Sequence, residues 1–156
     1  MLTRKQLKDI ETLQKECEKH DSLQLKLNWE MLRSRETKQF DFLKYDNEEL
    51  IAFLGVYAFG STAEVCGMVK PTARRKGHFN ELFNRAKITM KHHGFKNILL
   101  NAPASSNGAK AFLNTIGAIY KFTEHQMHWQ PQSLEASAGF TLRHVTINDT
   151  EMSVKL

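Results

Sequence analysis

The stretch Val69-Lys-Pro-Thr-Ala-Arg-Arg-Lys-Gly-His-Phe79 says most about the fold of this chain. A β-branched segment ends at Val69, a basic loop with one glycine follows, and an apolar pattern of helical spacing begins directly afterwards. The first N–H groups of such a helix have no acceptor within the helix. With Arg74, Arg75 and Lys76 beside them, they predict a site for an anion such as a phosphate or pyrophosphate. The stretch has neither the Gly-Lys-Ser/Thr of a Walker loop nor the further glycines of a dinucleotide fingerprint.

The chain has 156 residues, about the size of one domain, and a net charge of +5. This mild charge suits a polyanionic cofactor or nucleic acid, but many proteins that bind neither have a similar charge. No apolar run approaches the roughly 20 residues that a membrane span needs, and the first residues are not those of a signal peptide. Without a secretory signal, Cys17 and Cys66 are expected to be reduced thiols and the protein to be cytoplasmic.

The N-terminal half predicts two helices followed by an antiparallel meander of strands. Thr3 and Gln6 form a capping box, and the apolar stripe behind them predicts a helix that ends near His20. Residues 23–35 alternate as in a strand and also recur as in a helix, and Asn28 as an N-cap favours a helix over the second half. Strand-like runs with short connections follow at residues 40–45, 50–59 and 63–69.

The C-terminal half predicts alternating helices and strands. Residues 80–93 have helical spacing, and Ile98-Leu99-Leu100 is a short apolar strand that we expect to be buried on both faces. The strands that flank this helix are expected to run parallel, which makes the sheet mixed. A second amphipathic helix is predicted from Ala109 to Gly117, and residues 120–129 alternate as in one more strand.

This order of elements, with an Arg-x-x-Gly turn into a helix, resembles the GNAT acyltransferase family. The stretch Val69-x-Pro71-x-x-Arg74-Arg75-Lys76-Gly77-His78-Phe79 is similar to the family's acetyl-CoA pyrophosphate motif, Val-x-Pro-x-(x)-Arg/Gln-x-x-Gly-x-Gly/Ala. The resemblance implies an α/β (α+β) fold with a mixed, mostly antiparallel central sheet flanked by helices. It also implies a set of cofactor-binding residues, in which the main chain of the first two pairs with the pantetheine arm: Met68, Val69, Arg74, Arg75, Lys76, Gly77, His78, Phe79 and Asn107.

A second stretch, Asn107-x-Ala109-x-x-Phe112-Leu113-x-x-x-Gly117, is similar to a later motif of the family. Its Asn107 stands where the family's asparagine touches the cofactor arm. Two residues depart from the family pattern: Phe79 replaces a usual Gly or Ala, and Leu113 replaces the tyrosine that protonates the departing thiolate in many members. If this alignment holds, the usual general acid is absent.

We expect an acetyltransferase domain over residues 1–129 and a linker of small and polar residues over 130–139. Residues 140–156 then resemble the family's first strand, which is missing before the first helix. They are either the start of a second domain of a tandem protein, which we favour, or a strand that completes the first domain. A homodimer is a further partner hypothesis.

Acyl transfer to an amine needs a base for the amine and a donor that polarises the thioester carbonyl. Glu64 is the only carboxylate on the strand before the loop and is our candidate base, and the main-chain N–H of Val69 is the candidate for carbonyl polarisation. A surface glutamate is the equally weighted alternative for Glu64. Glu124 and His125 are weaker candidates for the acceptor pocket, and Cys66 is expected to be a small buried hydrophobe.

The resemblance therefore implies an N-acetyltransferase that moves an acetyl group from acetyl-CoA directly to a small-molecule or protein amine in a ternary complex. No metal and no membrane are expected. The alternative is a non-catalytic acyl-CoA-binding or regulatory half of a tandem acetyltransferase, because of Leu113. Nucleic-acid binding is not expected, since the basic patch at residues 74–76 is short and has no interleaved aromatic residues.

Overall fold

The computed structural model describes residues 1–37, 39–125, 127, 130, 143–144 and 146–149. Residues 1–119 form one compact unit and residues 120–156 a second. Among the described residues, no helix has both the length and the apolar character that crossing a bilayer requires. The proposed boundary at residues 130–139 lies mostly outside the described residues and stays a prediction.

The first unit begins with two capped helices. In α1 (Arg4–Asp21) the Thr3 side chain accepts from the Gln6 N–H, and the Gln6 side chain accepts from the Thr3 N–H, which confirms the capping box. In α2 (Trp29–Ser34) the Asn28 side chain accepts from the N–H of Met31. The ambiguous segment is thus helical over its second half, because a satisfied N-cap stabilises that start.

Four strands form one sheet in the order β1-β2-β3-β4. The strands β1 (Asp41–Asp46), β2 (Glu49–Phe59) and β3 (Thr62–Val69) make an antiparallel meander, and β4 (Asn97–Leu100) pairs parallel to β3. The mixed, mostly antiparallel sheet predicted from the sequence is confirmed. The crossover from β3 to β4 contains α3 (His78–His92), and α4 (Asn107–Thr115) follows β4.

The two faces of the sheet carry separate cores. Because side chains alternate along a strand, Cys66 and Met68 of β3 pack in the cluster that contains the buried face of α1. Ala63 and Val65 point to the other face and pack with α3. This division matters for the site, because it decides which side of the sheet each candidate residue reaches.

Phe79, at the start of α3, packs its ring edge-on against Phe112 of α4, with ring centroids 4.9 Å apart. The opposing position on β3 is Gly67, where an added Cβ would lie 2.9 Å from the Phe79 ring and 2.5 Å from the carbonyl oxygen of Phe53. The large residue at the helix start is therefore accommodated by the absence of a side chain on the strand beneath it.

Two sequence predictions are wrong. Ile98 of β4 is exposed, at 39%, and Leu99 and Leu100 are only half-buried, because β4 has only β3 as a neighbour in the described part of the sheet. Residues 120–125 form no strand, and most of the remaining run to 129 lies outside the described residues.

In the second unit, Ile147–Asp149 form a 3-10 turn. Arg143 is joined to this turn by a bidentate ion pair with Asp149.

A buried ion pair joins the end of α2 to the sheet. Arg35 donates to Oδ1 of Asp41 and to the backbone oxygen of Val56, both at 2.6 Å. The Asp41 side chain is fully buried, and its Oδ2 has no hydrogen-bond partner among the described residues. Burial outweighs the attraction of Arg35 and raises the pKa of Asp41 to about 6.

This raised pKa predicts a dependence of stability on pH. The folded protein holds the Asp41 proton to higher pH than the unfolded chain does, so the stability from neutral Asp41 is present at pH 4 and lost by pH 7. Between pH 4 and pH 7 we expect the free energy of unfolding of the parent to fall by about 2–3 kcal/mol more than that of Asp41→Asn. Urea unfolding of both proteins at pH 4 and pH 7 measures it. Asp46→Asn, an exposed change on the same strand, should leave the loss unchanged, and an equal loss in Asp41→Asn would contradict the assignment.

Candidate active site

One edge of β3 is unpaired over its last residues. Pairing between β3 and β4 ends at Val65 opposite Leu100, and the N–H of Asn101 donates to the oxygen of Val65 at 3.0 Å. Beyond this bond, residues 66–69 of β3 have no strand on that side in the described part of the chain. An unpaired strand edge offers N–H and C=O groups to any extended ligand that lies along it.

The register decides which residues present these groups. The N–H of Lys70 donates to Ile51 on β2 at 2.8 Å, whereas the oxygen of Val65 points to the other side. Backbone groups alternate sides along a strand. Gly67 and Val69 therefore face the open edge, and the main chain of Met68 faces β2, opposite Phe53. The sequence predicts that the main chain of Met68 and Val69 pairs with a pantetheine arm; of these two residues only Val69 faces the open edge, where Gly67 joins it, and the pairing itself stays a prediction.

A loop with exposed backbone donors continues from this edge. After a 3-10 turn at Pro71–Ala73, Arg75 and Gly77 take left-handed conformations with φ of 65° and 81°. The N–H groups of Arg75, Lys76 and Gly77 have no acceptor among the described residues. Gly77 is the N-cap of α3 and supplies no side-chain cap. The unpaired N–H groups of the loop thus lie next to the positive end of the α3 dipole, an arrangement that favours an anion.

Arg74 has a structural role within this loop. Its guanidinium donates to both carboxylate oxygens of Asp21, at 2.8 and 2.7 Å, and to the oxygen of Val69 at 3.0 Å. The hydrogen bond from Arg74, aided by one from His20, lowers the pKa of Asp21 to about 2. The side chain of Arg74 thus fastens the loop to the end of α1, while Arg75 and Lys76 are exposed beside the free N–H groups.

A cavity of about 440 Å³ lies on the face of the sheet that packs against α1, next to the connection between α1 and α2. Its wall combines aromatic, acidic and basic side chains with a thiol: Lys26, Leu27, Asn28, Trp29, Glu30, Tyr57, Phe59, Glu64 and Cys66. The cavity and the open edge share β3, so a group bound along the edge and a molecule in the cavity would meet at this strand.

Glu64 lies in this cavity and its side chain is 19% exposed. Its Oε1 accepts from Nδ2 of Asn101 at 2.5 Å and from Nζ of Lys26 at 3.3 Å. Its Oε2 has no hydrogen bond in the described structure. The β2–β3 pairing is regular, with no bulge, so Glu64 shares a face with Cys66 and Met68. A carboxylate with one free oxygen beside a cavity can accept a proton from a bound molecule.

Two other cavity residues are poor candidates for proton transfer or nucleophilic attack. Burial raises the pKa of the Cys66 thiol to about 11, which keeps it protonated and unreactive. Burial also raises the pKa of Tyr57 far above its usual value, so this phenol gives up its proton reluctantly. No hydrogen bond to its hydroxyl meets strict geometry among the described residues, although a backbone hydrogen-bond contact from Asn28 partly opposes the rise in the pKa of this hydroxyl. It is available to hold a polar group of a ligand.

The remaining predicted residues lie in three places. His78 is the first residue of α3 and is half-buried, and exposed Asn107 is the first residue of α4 behind the Ser106 cap. Leu113 of α4 is half-buried and has no group that can transfer a proton. Glu124 and His125 belong to the second unit, where both are exposed. No metal-binding group of three His, Cys, Asp or Glu side chains occurs within the described residues.

The sequence reading missed four residues that shape this site. Gly67 carried a signal, because a glycine within a strand often marks a close backbone approach. Asn101 carried a weaker one, as the first polar residue after an apolar strand. Lys26 and Asp21 carried none, because their partners lie 38 and 53 positions away along the chain.

The Arg74–Asp21 contact predicts a measurable loss of stability. The low pKa of Asp21 means that its ionised form contributes stability above about pH 4, which is lost as the pH falls towards 2. Because both side chains are partly exposed, we expect Asp21→Asn to lose only about 1 kcal/mol at pH 7. Urea unfolding checks this. Arg74→Lys, which keeps the charge without the fork of donors, should cost a similar amount, and additive losses in the double variant would refute the contact.

The comparisons with known proteins agree with this geometry. Residues 4–118 match the sequence profile described as the acetyltransferase (GNAT) family. Among curated proteins, none matches the chain significantly in sequence. A solved GNAT-family acetyltransferase from Staphylococcus aureus Mu50 superposes with a TM-score of 0.63 at 13% identity, over 74% of this chain and 80% of that one.

Two further solved structures have the same fold. The ribosomal-protein-S18-alanine N-acetyltransferase from Escherichia coli has a TM-score of 0.56 at 16% identity, over 74% of this chain and 73% of its own. The aminoglycoside N-acetyltransferase AAC(6')-Iy in complex with CoA has a TM-score of 0.54 at 13% identity, over 84% and 96%. The family profile covers most of the chain and the observed sheet has the fold of these enzymes, so the chain belongs to the GNAT acetyltransferase family.

Proposed function

We propose that this chain transfers the acetyl group of acetyl-CoA to a primary amine held in the cavity beside Glu64. One observation carries the proposal: the open edge of β3 at Gly67 and Val69 runs directly into a loop with three unsatisfied N–H groups. An extended amide arm that ends in a pyrophosphate matches this combination of a strand edge and an anion site.

The residues present fit such a cosubstrate. A Cβ added at Gly77 would meet nothing within 4 Å, so the space beside this N-cap is open. Arg75, Lys76 and His78 flank this space and suit the negative charge of a pyrophosphate. By resemblance to the family, Phe79 contributes its backbone N–H and Asn107 contacts the arm. Acetyl-CoA would supply an activated thioester at the open edge.

The cavity supplies the second half of the reaction. We assign Glu64 Oε2 as the base that takes a proton from the amine as its nitrogen attacks the thioester carbon. The N–H of Gly67 or Val69 faces the open edge and stabilises the oxyanion that forms when the carbonyl opens. The carbon–sulfur bond then breaks, the amide is formed, and CoA leaves as a thiolate.

Leu113 affects how the departing thiolate of CoA becomes protonated. No phenol stands at this position to protonate it, and Tyr57 is a weak acid. An ordinary thiol has a pKa of about 8.5, so a thiolate can leave and take its proton from water without a dedicated acid. The same leucine favours the second candidate, a half that binds acetyl-CoA without catalysis. Both candidate functions predict binding of acetyl-CoA, but only the acetyltransferase predicts turnover of an amine.

Binding is tested by isothermal titration with acetyl-CoA. We expect micromolar affinity in the parent chain and at least a ~10-fold loss in Gly77→Glu, which puts a carboxylate among the phosphate donors. Gly94→Glu is the matched control, because Gly94 has a φ of 72° and the same empty surroundings as Gly77. Absence of binding by the parent, or an equal loss in both variants, would refute the cofactor site.

Turnover is tested by release of CoA thiol with a panel of amines. The panel contains an aminoglycoside and a peptide with an N-terminal alanine, because two enzymes of the same fold are named for an aminoglycoside and for the alanine of ribosomal protein S18. We expect Glu64→Gln to lower kcat/KM by roughly 10²–10⁴-fold while the affinity for acetyl-CoA is unchanged. Tight cofactor binding without turnover of any amine would select the non-catalytic candidate.

A further inference from the structure

We propose that Asn101 is a positioning residue for the base: it holds Glu64 by one oxygen and leaves the other oxygen for the acceptor amine. The inference rests on the proposed function and adds a residue to it. Asn101 lies immediately after β4, and its backbone N–H makes the last bond to β3, at 3.0 Å from the oxygen of Val65. Its side chain therefore starts from a fixed backbone at the point where the strands separate.

The nitrogen of the Asn101 side-chain amide makes both of its contacts to β3. Its Nδ2 donates to Oε1 of Glu64 at 2.5 Å and lies 3.2 Å from Sγ of Cys66. An amide nitrogen has two hydrogens, so these contacts satisfy both and orient the amide plane. Glu64 and Cys66 are two positions apart on the same face of β3. The amide thus bridges the two side chains and restricts rotation of the Glu64 carboxylate.

Both donors to Glu64 use the same oxygen. Lys26 also donates to Oε1, at 3.3 Å, and Oε2 accepts no hydrogen bond from the described residues. A carboxylate held in this way keeps one oxygen with a free lone pair in a fixed direction. Such orientation is what a general base needs, since a displacement of about 1 Å can cost a reaction roughly 100-fold.

The other polar residues around Glu64 do not duplicate the role of Asn101. Lys26 reaches it from the α1–α2 connection, Glu30 lines the same cavity from α2, and Tyr57 lies opposite it on β2. Lys26 has a side chain that is 44% exposed, and it supplies charge from a long flexible stem. Asn101 supplies a neutral donor from a fixed strand end, so it controls geometry with no change in the net charge of the site.

The test compares two isosteric substitutions on one strand. Asn101→Asp keeps the shape, removes the donor and places a second carboxylate against Glu64. Asn97→Asp makes the same charge change at the exposed opposite end of β4. We expect Asn101→Asp to lower kcat/KM roughly 10- to 100-fold at pH 7. Activity should recover as the pH rises, because adjacent carboxylates resist ionising together and the acid limb of the profile moves up by at least about one unit. Asn97→Asp should retain the parent profile.

A double-variant cycle and a binding measurement complete the test. In a Glu64→Gln background, Asn101→Asp should cost less than about 2-fold further, because the residue acts through Glu64. The affinity of Asn101→Asp for acetyl-CoA should match the parent by titration, which also shows that the variant folds. A loss that is independent of pH, an additive loss in the cycle, or the same shift in Asn97→Asp would overturn the role of Asn101.

Failure of the proposed function gives a different pattern. A parent chain that binds acetyl-CoA and acetylates no amine overturns the catalytic proposal, and the role of Asn101 falls with it. A parent that is active and a Glu64→Gln variant that is equally active remove Glu64 as the base. An active parent that needs Glu64, with an unchanged Asn101→Asp profile, overturns the inference on Asn101 alone.

Discussion

The separation of β3 and β4 after Val65 is the constraint on which the rest of the site depends. Up to that residue the two strands share a parallel ladder, and the bond from Asn101 N–H to Val65 closes it. A strand whose partner ends early leaves its next N–H and C=O groups to solvent, to a ligand or to side chains of the protein itself. The same break turns the chain at Asn101 towards Glu64, so the open edge of β3 and the surroundings of the Glu64 carboxylate have one structural origin.

Two contacts keep the open part of β3 in place without a neighbouring strand. Arg74 and Cys17 both reach the oxygen of Val69, and Asp21 fixes the guanidinium of Arg74. The end of α1 thereby substitutes for missing strand contacts and defines the path into the loop. Because the loop is already ordered, a ligand that binds to it loses less conformational entropy of the chain. Arg74 therefore acts by binding the carboxylate of Asp21 and so holding the loop in place.

The local elements were predictable because their signals are local. The capping box at Thr3 and Gln6, the Asn28 cap, the turns of the meander and the helix after Gly77 all depend on residues within a few positions. The errors occurred where a property depends on neighbours distant in sequence. An apolar strand such as Ile98–Leu100 predicts burial only if both its edges and faces are covered, and here β3 is the one described neighbour.

The sequence by itself determined the order of elements up to the helix after β4, the glycine turn that begins α3 and the family resemblance, because each follows from spacing within a short segment. Only the tertiary structure decided that Gly67 rather than Met68 faces the open edge, since strand register depends on pairing with β2. It likewise decided that Arg74 binds Asp21 and that Asn101 and Lys26 share one oxygen of Glu64. Those partners are brought together by packing of helices and strands, and no periodicity along the chain encodes their distance.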